Sequence, residues 1–171
     1  VALLTIAAGL AFRVTAVPFH FYAPDVFQGA STSAAAFLSF VPKIAGFVGL
    51  LRVFGFGVPA GVAASTGPGL ALSDQLPPLF WFLAALTMVI GNVLALLQDN
   101  LKRLLAYSSI AHAGYMLVAL ASAPYLGGSE SPANGVSALL FYLAAYGAMT
   151  LGIFALLLHL HRPDRPVETV D

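Results

Sequence analysis

The chain has 171 residues, of which 60% are hydrophobic and 8% are charged, and its formal net charge is +0. About a quarter of the residues in a soluble globular domain are charged, so a chain this apolar would lack a water-facing surface. The balanced charge gives no electrostatic reason to expect nucleic acid as a partner. The absence of cysteine excludes disulfides and thiolate chemistry. The composition therefore indicates an integral, multi-pass membrane protein.

Neither end of the chain resembles a natural terminus. Val1 opens the chain inside an apolar run, and no basic segment or cleavage site marks a signal peptide. The other end, Arg162 to Asp171, is polar and rich in proline, as loops between helices are. We therefore expect the chain to be a fragment of a longer protein.

Five apolar segments are each about as long as a helix needs to be to cross a bilayer. The sequence predicts membrane-spanning helices at residues 1–21, 33–56, 77–98, 104–121 and 134–161. Residues typical of helix starts precede or open three of these segments: Ser31 to Ser33, Pro77 with Pro78, and Asn134. We expect an all-α transmembrane bundle that forms a single region, in which two helices are broken by proline.

The charges outside these segments predict the topology. If the helices alternate in direction, the connections 22–31 and 99–103 and the C-terminal tail share one side of the membrane. That side contains four basic residues: Lys102, Arg103, Arg162 and Arg165. The other side contains the connections 57–76 and 122–133. Their charged residues are both acidic, Asp74 and Glu130. The positive-inside rule predicts that the basic side is cytoplasmic, in a bacterial-type plasma membrane.

Lys43 and Arg13 lie inside predicted spans, where a charge costs at least about 2.5 to 3.5 kcal/mol. Lys43 follows Pro42, which lacks an N–H and should kink the helix. A broken helix beside an ionisable group is how transporters build ion sites. Arg13 repeats the pattern with Pro18, although a guanidinium keeps its proton. The alternatives are a lysine that snorkels to the interface and an arginine that anchors its helix.

Histidines provide further candidates. Ser108, His112 and Tyr115 follow one another at steps of four and three, which places them on one helical face. Because histidine titrates near neutrality, His112 is a candidate proton relay, and a neutral histidine bonded to a neighbouring helix is the alternative. His20 is a candidate proton relay, and a residue at the membrane interface is the alternative. No Asp or Glu falls within the spans, so we expect the acidic partners of the buried cations outside this chain. No motif predicts a bound metal or cofactor.

Two blocks of sequence resemble the subunit N family of the proton-pumping NADH-quinone oxidoreductases, respiratory complex I. The first block runs from Phe12 to Ala30 and contains Val17-Pro18-Phe19-His20. The second runs from Asn100 to Tyr115, and Pro42-Lys43 lies between the two at a compatible spacing. The resemblance covers the first two thirds of the chain, and the last third resembles the family only in hydropathy.

The resemblance implies a larger antiporter-like fold with two inverted five-helix repeats, of which this chain would supply about the seventh to eleventh helices. It implies a subunit without redox chemistry that contributes a proton path, driven by electron transfer from NADH to quinone elsewhere in the complex. NADH, FMN, iron-sulfur clusters and quinone are then expected in other subunits. The expected partners are the other membrane subunits and the lipid bilayer. The fragment alone is not expected to be active.

The resemblance also assigns residues. Lys43 matches the family's eighth-helix lysine, a proton carrier near the membrane centre. Arg13 occupies the position of the seventh-helix lysine, which pairs with a glutamate in the fifth helix, and an arginine there would supply positive potential. His20 matches the histidine of the Val-Pro-Phe-His motif, and His112 and Lys102 match other motif positions. These five residues are predicted to form the proton path or to tune it electrostatically.

Two alternatives remain open at this point. A cation/proton antiporter subunit of the same superfamily shares the broken helices and buried lysines, and sodium dependence of transport would separate it from complex I. A passive membrane scaffold would use its buried cations only to bind other helices. Loss of assembly on substitution of Lys43, without a separate loss of pumping, would favour the scaffold.

Overall fold

The computed structural model describes residues 2–56, 72–122 and 135–160, with side chains described for 5–54, 77–122 and 135–160. These ranges contain the α-helices α1 Ala2–Arg13, α2 Ala23–Gly29, α3 Thr32–Leu50, α4 Leu72–Leu96, α5 Leu101–Ala121 and α6 Gly135–Leu160. A π-helical turn, Leu51–Phe56, extends α3. Four segments are long and apolar enough to cross a membrane: Thr32–Phe54, Pro77–Leu96, Leu101–Ala121 and Gly135–Leu160. The prediction of an all-α transmembrane bundle is confirmed.

The helix predicted at residues 1–21 ends early. α1 stops at Arg13, and residues 14–22 form turns before α2 begins. Thr15 has a φ of 60°, a left-handed conformation that β-branched residues rarely adopt and that cannot continue an α-helix. Pro18 then has no backbone N–H to donate. A continuous first span is therefore wrong, because Thr15 and Pro18 interrupt it.

The turn after α1 is buried although it is not helical. Val14, Ala16 and Val17 are at most 4% exposed. The Val17 N–H donates to Thr87 Oγ1 on α4 (3.1 Å), and the Ala16 N–H donates to the Ala11 carbonyl oxygen (3.0 Å). Non-helical backbone is tolerated at membrane depth only where protein or water satisfies its polar groups. Thr87 supplies one of those partners here.

Side-chain caps determine where two of the helices begin. Ser31 caps α3 as expected, since its hydroxyl accepts a backbone N–H of the first turn at 3.4 Å. Asn100 Oδ1 accepts the N–H groups of Lys102 (3.0 Å) and Arg103 (3.2 Å), which satisfies two of the donors left free at a helix start. α5 therefore begins at Leu101, before the predicted residue 104.

Prolines lie inside two helices instead of at their limits. α3 runs through Pro42 without ending, so the helix continues past the residue at which the sequence predicts a kink. The departure from α-helical geometry comes later, in the π-helical turn. α4 begins at Leu72 and contains Pro77 and Pro78, which the sequence had placed at the helix start.

α5 is the central helix of the described bundle, with contacts to α2, α3, α4 and α6. Two glycines allow α4 and α5 to pack closely. A Cβ added to Gly91 would lie 2.8 Å from the backbone N of Ala111, and one added to Gly114 would lie 3.0 Å from that of Met88. Small residues permit such backbone approach between membrane helices. The close packing of α4 and α5 fixes the position of α5. The bundle has two polar regions, described below, and α5 carries residues of both.

The first polar region joins the connections 22–31 and 99–103 at one end of the bundle. Arg103 Nη1 donates to Asp25 Oδ1 (2.6 Å) and Gln28 Oε1 (2.9 Å). Arg103 Nε donates to Gln98 Oε1 (3.1 Å). We call this set the end cluster; its members are Asp25, Gln28, Gln98, Lys102 and Arg103. The two connections thus share one end, as alternating helices predict. Arg162, Arg165 and the connections 57–71 and 123–134 lie outside the described residues.

Candidate functional site

The second polar region surrounds Lys43, which is 2% exposed. Its Nζ donates to the carbonyl oxygen of Ser109 and to Ser109 Oγ, the latter at 2.5 Å. The ring of Tyr146 lies beneath the same Nζ, with its centroid 5.2 Å away. No carboxylate among the described residues forms an ion pair with Lys43. Neutral acceptors and an aromatic face therefore enclose this cation.

Polar side chains recur on one face of α6 at steps of four: Tyr142, Tyr146 and Thr150. Tyr146 is 4% exposed, and its Oη donates to the Ser39 carbonyl oxygen (3.5 Å). Ser39 precedes Lys43 by one turn of α3. The Tyr146 ring also lies 5.1 Å from the ring of His112, centroid to centroid. Tyr146 thus contacts both Lys43 and His112.

His112 is half-buried on α5, one turn beyond Ser109. Its Nδ1 lies 2.7 Å from Tyr142 Oη, within hydrogen-bonding distance. Its ring also packs edge-on against Tyr115, with the centroids 5.7 Å apart. The structure therefore brings His112 into the same site as Lys43. We call the set the central polar site; its members are Ser39, Lys43, Ser109, His112, Tyr142 and Tyr146.

A cavity of about 20 Å³ adjoins the central polar site. This volume is enough for one water molecule. The residues that line the cavity with polar side chains are Ser39, Ser108, Ser109, His112, Tyr146 and Thr150. Hydroxyl and imidazole groups donate and accept hydrogen bonds, so a proton can pass among them without a fixed charge on any one group.

Arg13 lies beside this site and not within it. It is the last residue of α1, and its side chain is exposed, in contrast to the expectation of an enclosed cation. A Cβ added to Gly46 would lie 3.5 Å from Arg13 Cβ, so the stem of Arg13 packs on α3. Gly46 is one turn from Lys43. The stem of Arg13 therefore lies about one turn of α3 from Lys43, outside the central polar site.

Lys102 and His20 lie outside the central polar site. Lys102 precedes Ser109 by about two turns of α5, and its Nζ donates to the Ala30 carbonyl oxygen (3.4 Å). His20 lies in the turn before α2, where its Nδ1 is buried and has no hydrogen-bond partner among the described residues. The described ranges also contain no group of three His, Asp or Glu side chains arranged to hold a metal ion.

The sequence-based prediction omits four members of the site, namely Ser39, Ser109, Tyr142 and Tyr146. It also omits Thr150, which lines the cavity. The spacing of four between Tyr142, Tyr146 and Thr150, in an otherwise apolar segment, is a signal that would have identified the polar face of α6. Arg52 is a further basic residue inside the second predicted span that the prediction omits. It is exposed and lies in the π-helical turn.

The chain is similar over nearly its whole length to known membrane subunits. The family model described as "NADH:quinone oxidoreductase/Mrp antiporter, TM" matches residues 1–170. NADH-quinone oxidoreductase subunit N of Rubrobacter xylanophilus is 46% identical over 154 residues, which cover 90% of this chain and 29% of the relative. Subunit N of Trichlorobacter lovleyi is 43% identical over 162 residues, which cover 95% of this chain and 29% of the relative. The chain thus spans less than a third of the length of these relatives.

Solved structures give the same result. A chain of respiratory complex I from Thermus thermophilus with bound aureothin superposes with a TM-score of 0.66 at 38% identity, covering 91% of this chain and 29% of that chain. A chain of the membrane-bound sulfane sulfur reductase, an archaeal respiratory membrane complex, superposes with a TM-score of 0.68 at 29% identity, covering 90% and 28%. The resemblance predicted from the two sequence blocks is confirmed. The chain belongs to the NADH:quinone oxidoreductase/Mrp antiporter transmembrane family.

Proposed function

We propose that this chain forms part of subunit N of a proton-pumping NADH-quinone oxidoreductase, and that Lys43 takes up and releases protons within it. The observation that carries the proposal is the enclosed Lys43 ammonium, held by Ser109 and without a carboxylate partner among the described residues. The relatives named NADH-quinone oxidoreductase subunit N support the assignment. In this proposal electron transfer from NADH to quinone takes place in other subunits, and this chain binds no redox cofactor.

The groups around Lys43 suit a side chain that changes protonation state. An ammonium has three donors and no acceptor, and Ser109 offers it two oxygen acceptors while Tyr146 offers an aromatic face. A neutral amine has a lone pair, which can accept from the Ser109 hydroxyl. A carboxylate partner would instead hold the charge in place. Both states of Lys43 are therefore hydrogen-bonded by the same neighbours.

The central polar site extends from Lys43 towards His112. Tyr146 contacts both side chains, and Ser109 and His112 lie one turn apart on α5. The cavity they line has room for one water molecule, which would connect groups that do not touch. We infer that protons move between Lys43 and His112 through this cavity.

The remaining predicted residues act at a distance in this proposal. Arg13 supplies positive potential near Lys43, because its stem lies one helical turn away and its guanidinium keeps its proton. Lys102 tunes the path from the end cluster, where it holds the connection after α2. His20 is placed before α2, and its unpartnered Nδ1 is available to a group outside the described residues.

We further infer that the end cluster faces the cytoplasm. The end cluster, which lies near the start of α3, contains the basic residues Lys102 and Arg103. In the described ranges, Arg52 is the basic residue near the other end of α3. Arg162 and Arg165 add to the basic side by sequence. The proposed partners are the other membrane subunits of the complex and the lipid, which would cover exposed apolar side chains such as Trp81 and Phe82.

A cation/proton antiporter subunit is the second candidate function. The matching family model includes the Mrp antiporters, and one of the similar structures belongs to a sulfane sulfur reductase complex. The buried lysine and the hydroxyl-lined cavity would serve proton movement in either kind of complex. Proton transport that requires sodium would favour the antiporter, and transport unaffected by sodium would favour the oxidoreductase.

The role of Lys43 is tested by Lys43→Ala and Lys43→Arg in the full-length subunit of the assembled complex. Both variants should lose pumping by about tenfold or more, because alanine removes the carrier and arginine does not release its proton. The measurement is proton uptake by inverted vesicles, normalised to assembled complex, beside NADH-quinone turnover. Arg52→Ala is the matched control: it removes the same charge from an exposed position on the extension of the same helix. It should pump like the parent.

Two outcomes would contradict the proposal. Normal pumping in Lys43→Arg would mean that a fixed charge suffices and that Lys43 does not exchange protons. Loss of assembly in Lys43→Ala, with normal pumping in the complexes that do assemble, would support a passive scaffold instead.

A further inference from the structure

The hydrogen bond between Tyr142 and His112 has no role in the proton movement described above. Tyr142 Oη on α6 lies 2.7 Å from His112 Nδ1 on α5, and both side chains are half-buried. The bond joins two membrane-spanning helices, α5 and α6. A short bond between a phenol and a titratable ring therefore calls for a chemical explanation.

The two ring nitrogens of His112 have different surroundings. Nδ1 is occupied by Tyr142, which is not among the residues that line the cavity, whereas the His112 side chain itself does line it. Nε2 is then the nitrogen left for proton exchange. Which ring nitrogen carries the proton in neutral histidine is set by the hydrogen bond that the other nitrogen makes.

A phenol can bond to His112 in both of its protonation states. With neutral histidine protonated on Nδ1, Nδ1–H donates to the Tyr142 oxygen and Nε2 carries no proton. With the imidazolium, Nδ1–H still donates to the same oxygen, since a phenol oxygen accepts hydrogen bonds. Nε2 thus gains and loses a proton while the Nδ1 bond persists and the ring stays in place.

We propose that Tyr142 is a positioning residue for His112, which it holds through Nδ1 so that Nε2 exchanges protons at the cavity lined by Ser109, the residue that binds Lys43. The link to proton transfer rests on the proposed function. The hydrogen bond and its effect on the protonation of His112 do not, so they are measured separately below.

The charged and titratable groups near His112 come from several helices. α3 contributes Lys43, α6 contributes Tyr142 and Tyr146, and Tyr115 lies on α5 itself. Asn92 on α4 is neutral, and its Nδ2 donates to Tyr115 Oη (3.5 Å). Asp25 on α2 is paired with Arg103 in the end cluster, nine residues before His112 along α5. Any test must therefore compare removal of the Tyr142 hydroxyl with removal of another hydroxyl beside the same ring.

The test compares Tyr142→Phe with Tyr115→Phe in the assembled complex. Both variants keep an aromatic ring beside His112, but only the first removes the hydroxyl bonded to Nδ1. Hydrogen–deuterium exchange at the imidazole C2 of the His112 peptide, followed by mass spectrometry over a series of pH values, reports the protonation of this histidine directly. Tyr142→Phe should move the midpoint of that profile by at least about half a pH unit. Tyr115→Phe should leave it unchanged.

Proton uptake by inverted vesicles is the second measurement. Tyr142→Phe should lower pumping severalfold at equal assembly, and Tyr115→Phe should retain it. An unchanged midpoint in Tyr142→Phe would overturn the proposal whatever the pumping rate. A shifted midpoint with normal pumping would also overturn it, because the bond would then have no role in transport. Normal pumping in Lys43→Ala would instead refute the proposed function, and the exchange profile would still decide whether Tyr142 controls His112.

Discussion

The two polar regions of the bundle hold basic side chains in opposite ways. In the end cluster, the Arg103 side chain is 29% exposed and is paired with Asp25, whose side chain is 74% exposed. In the central polar site, Lys43 is 2% exposed and bonds to the neutral Ser109. One cation is partly exposed and has an acid beside it, and the other is enclosed among neutral groups of the described residues.

This difference separates two uses of charge in one membrane protein. An exposed ion pair contributes little free energy, yet it links the connection before α3 to the start of α5. A cation enclosed among neutral groups is costly to keep, so a function is needed to explain it. The end cluster should therefore affect topology and assembly, and the central polar site should affect proton movement.

The largest expected effect is an all-or-none difference in thiol labelling between the two sides of the membrane. One position tested follows the end of α5, and the other lies in the end cluster beside its start. In intact cells, a cysteine replacing Ser122 should react with an impermeant thiol reagent, whereas one replacing Gln28 should not, because the end cluster is proposed to face the cytoplasm. The chain itself has no cysteine, so it adds no background labelling. Reaction of Gln28→Cys from outside, with Ser122→Cys protected, would reverse the proposed orientation.

The next effect is expected at Ser109. Ser109→Ala removes one of the two acceptors of the Lys43 ammonium, and a hydrogen bond to a charged group contributes about 1.5 to 3 kcal/mol. Pumping per assembled complex should fall severalfold. The neighbouring Ser108→Ala removes a hydroxyl from the cavity lining without touching Lys43, so its effect should be smaller. Equal pumping in the two variants would show that the Ser109 hydroxyl does not support Lys43.

The smallest effect is expected in the end cluster. A double-mutant cycle with Arg103→Gln and Asp25→Asn should give a coupling of about 0.2 to 1 kcal/mol, since the pair is exposed. Added salt should reduce the coupling further. Thermal stability of the assembled complex provides the measurement, and pumping per complex should stay at the parental level. A coupling well above this range, insensitive to salt, would show that the pair is shielded by other subunits and that the contrast with Lys43 is weaker than described.

The sequence predicts most of the helices because a span requires a long apolar run, which is visible without any tertiary information. Lys43 and His112 were also predictable, since polar residues are conspicuous inside such runs. The early end of α1 was not, because it depends on the backbone of Thr15 and on the bond from Val17 to Thr87, seventy residues further along the chain. Distant contacts of this kind leave no local pattern.

The tyrosines of the central polar site were missed for a different reason. Tyr142 and Tyr146 count as hydrophobic in a search for apolar spans, although each ends in a hydroxyl that needs a partner when buried. Their partners, His112 and the Ser39 carbonyl oxygen, lie on other helices. The polar chemistry of the site therefore emerges only once the helices are packed.

The early end of α1 has one more consequence, which concerns the charge of Lys43. Aligned peptide dipoles place roughly half a negative charge at the C-terminal end of a helix. α1 ends at Arg13, against Gly46 and one turn of α3 from Lys43. Its terminal carbonyl groups therefore offset part of the positive potential that Arg13 contributes on this side of α3. Unlike a carboxylate, this partial charge cannot be protonated, so it persists at every pH and through every change in the protonation of Lys43.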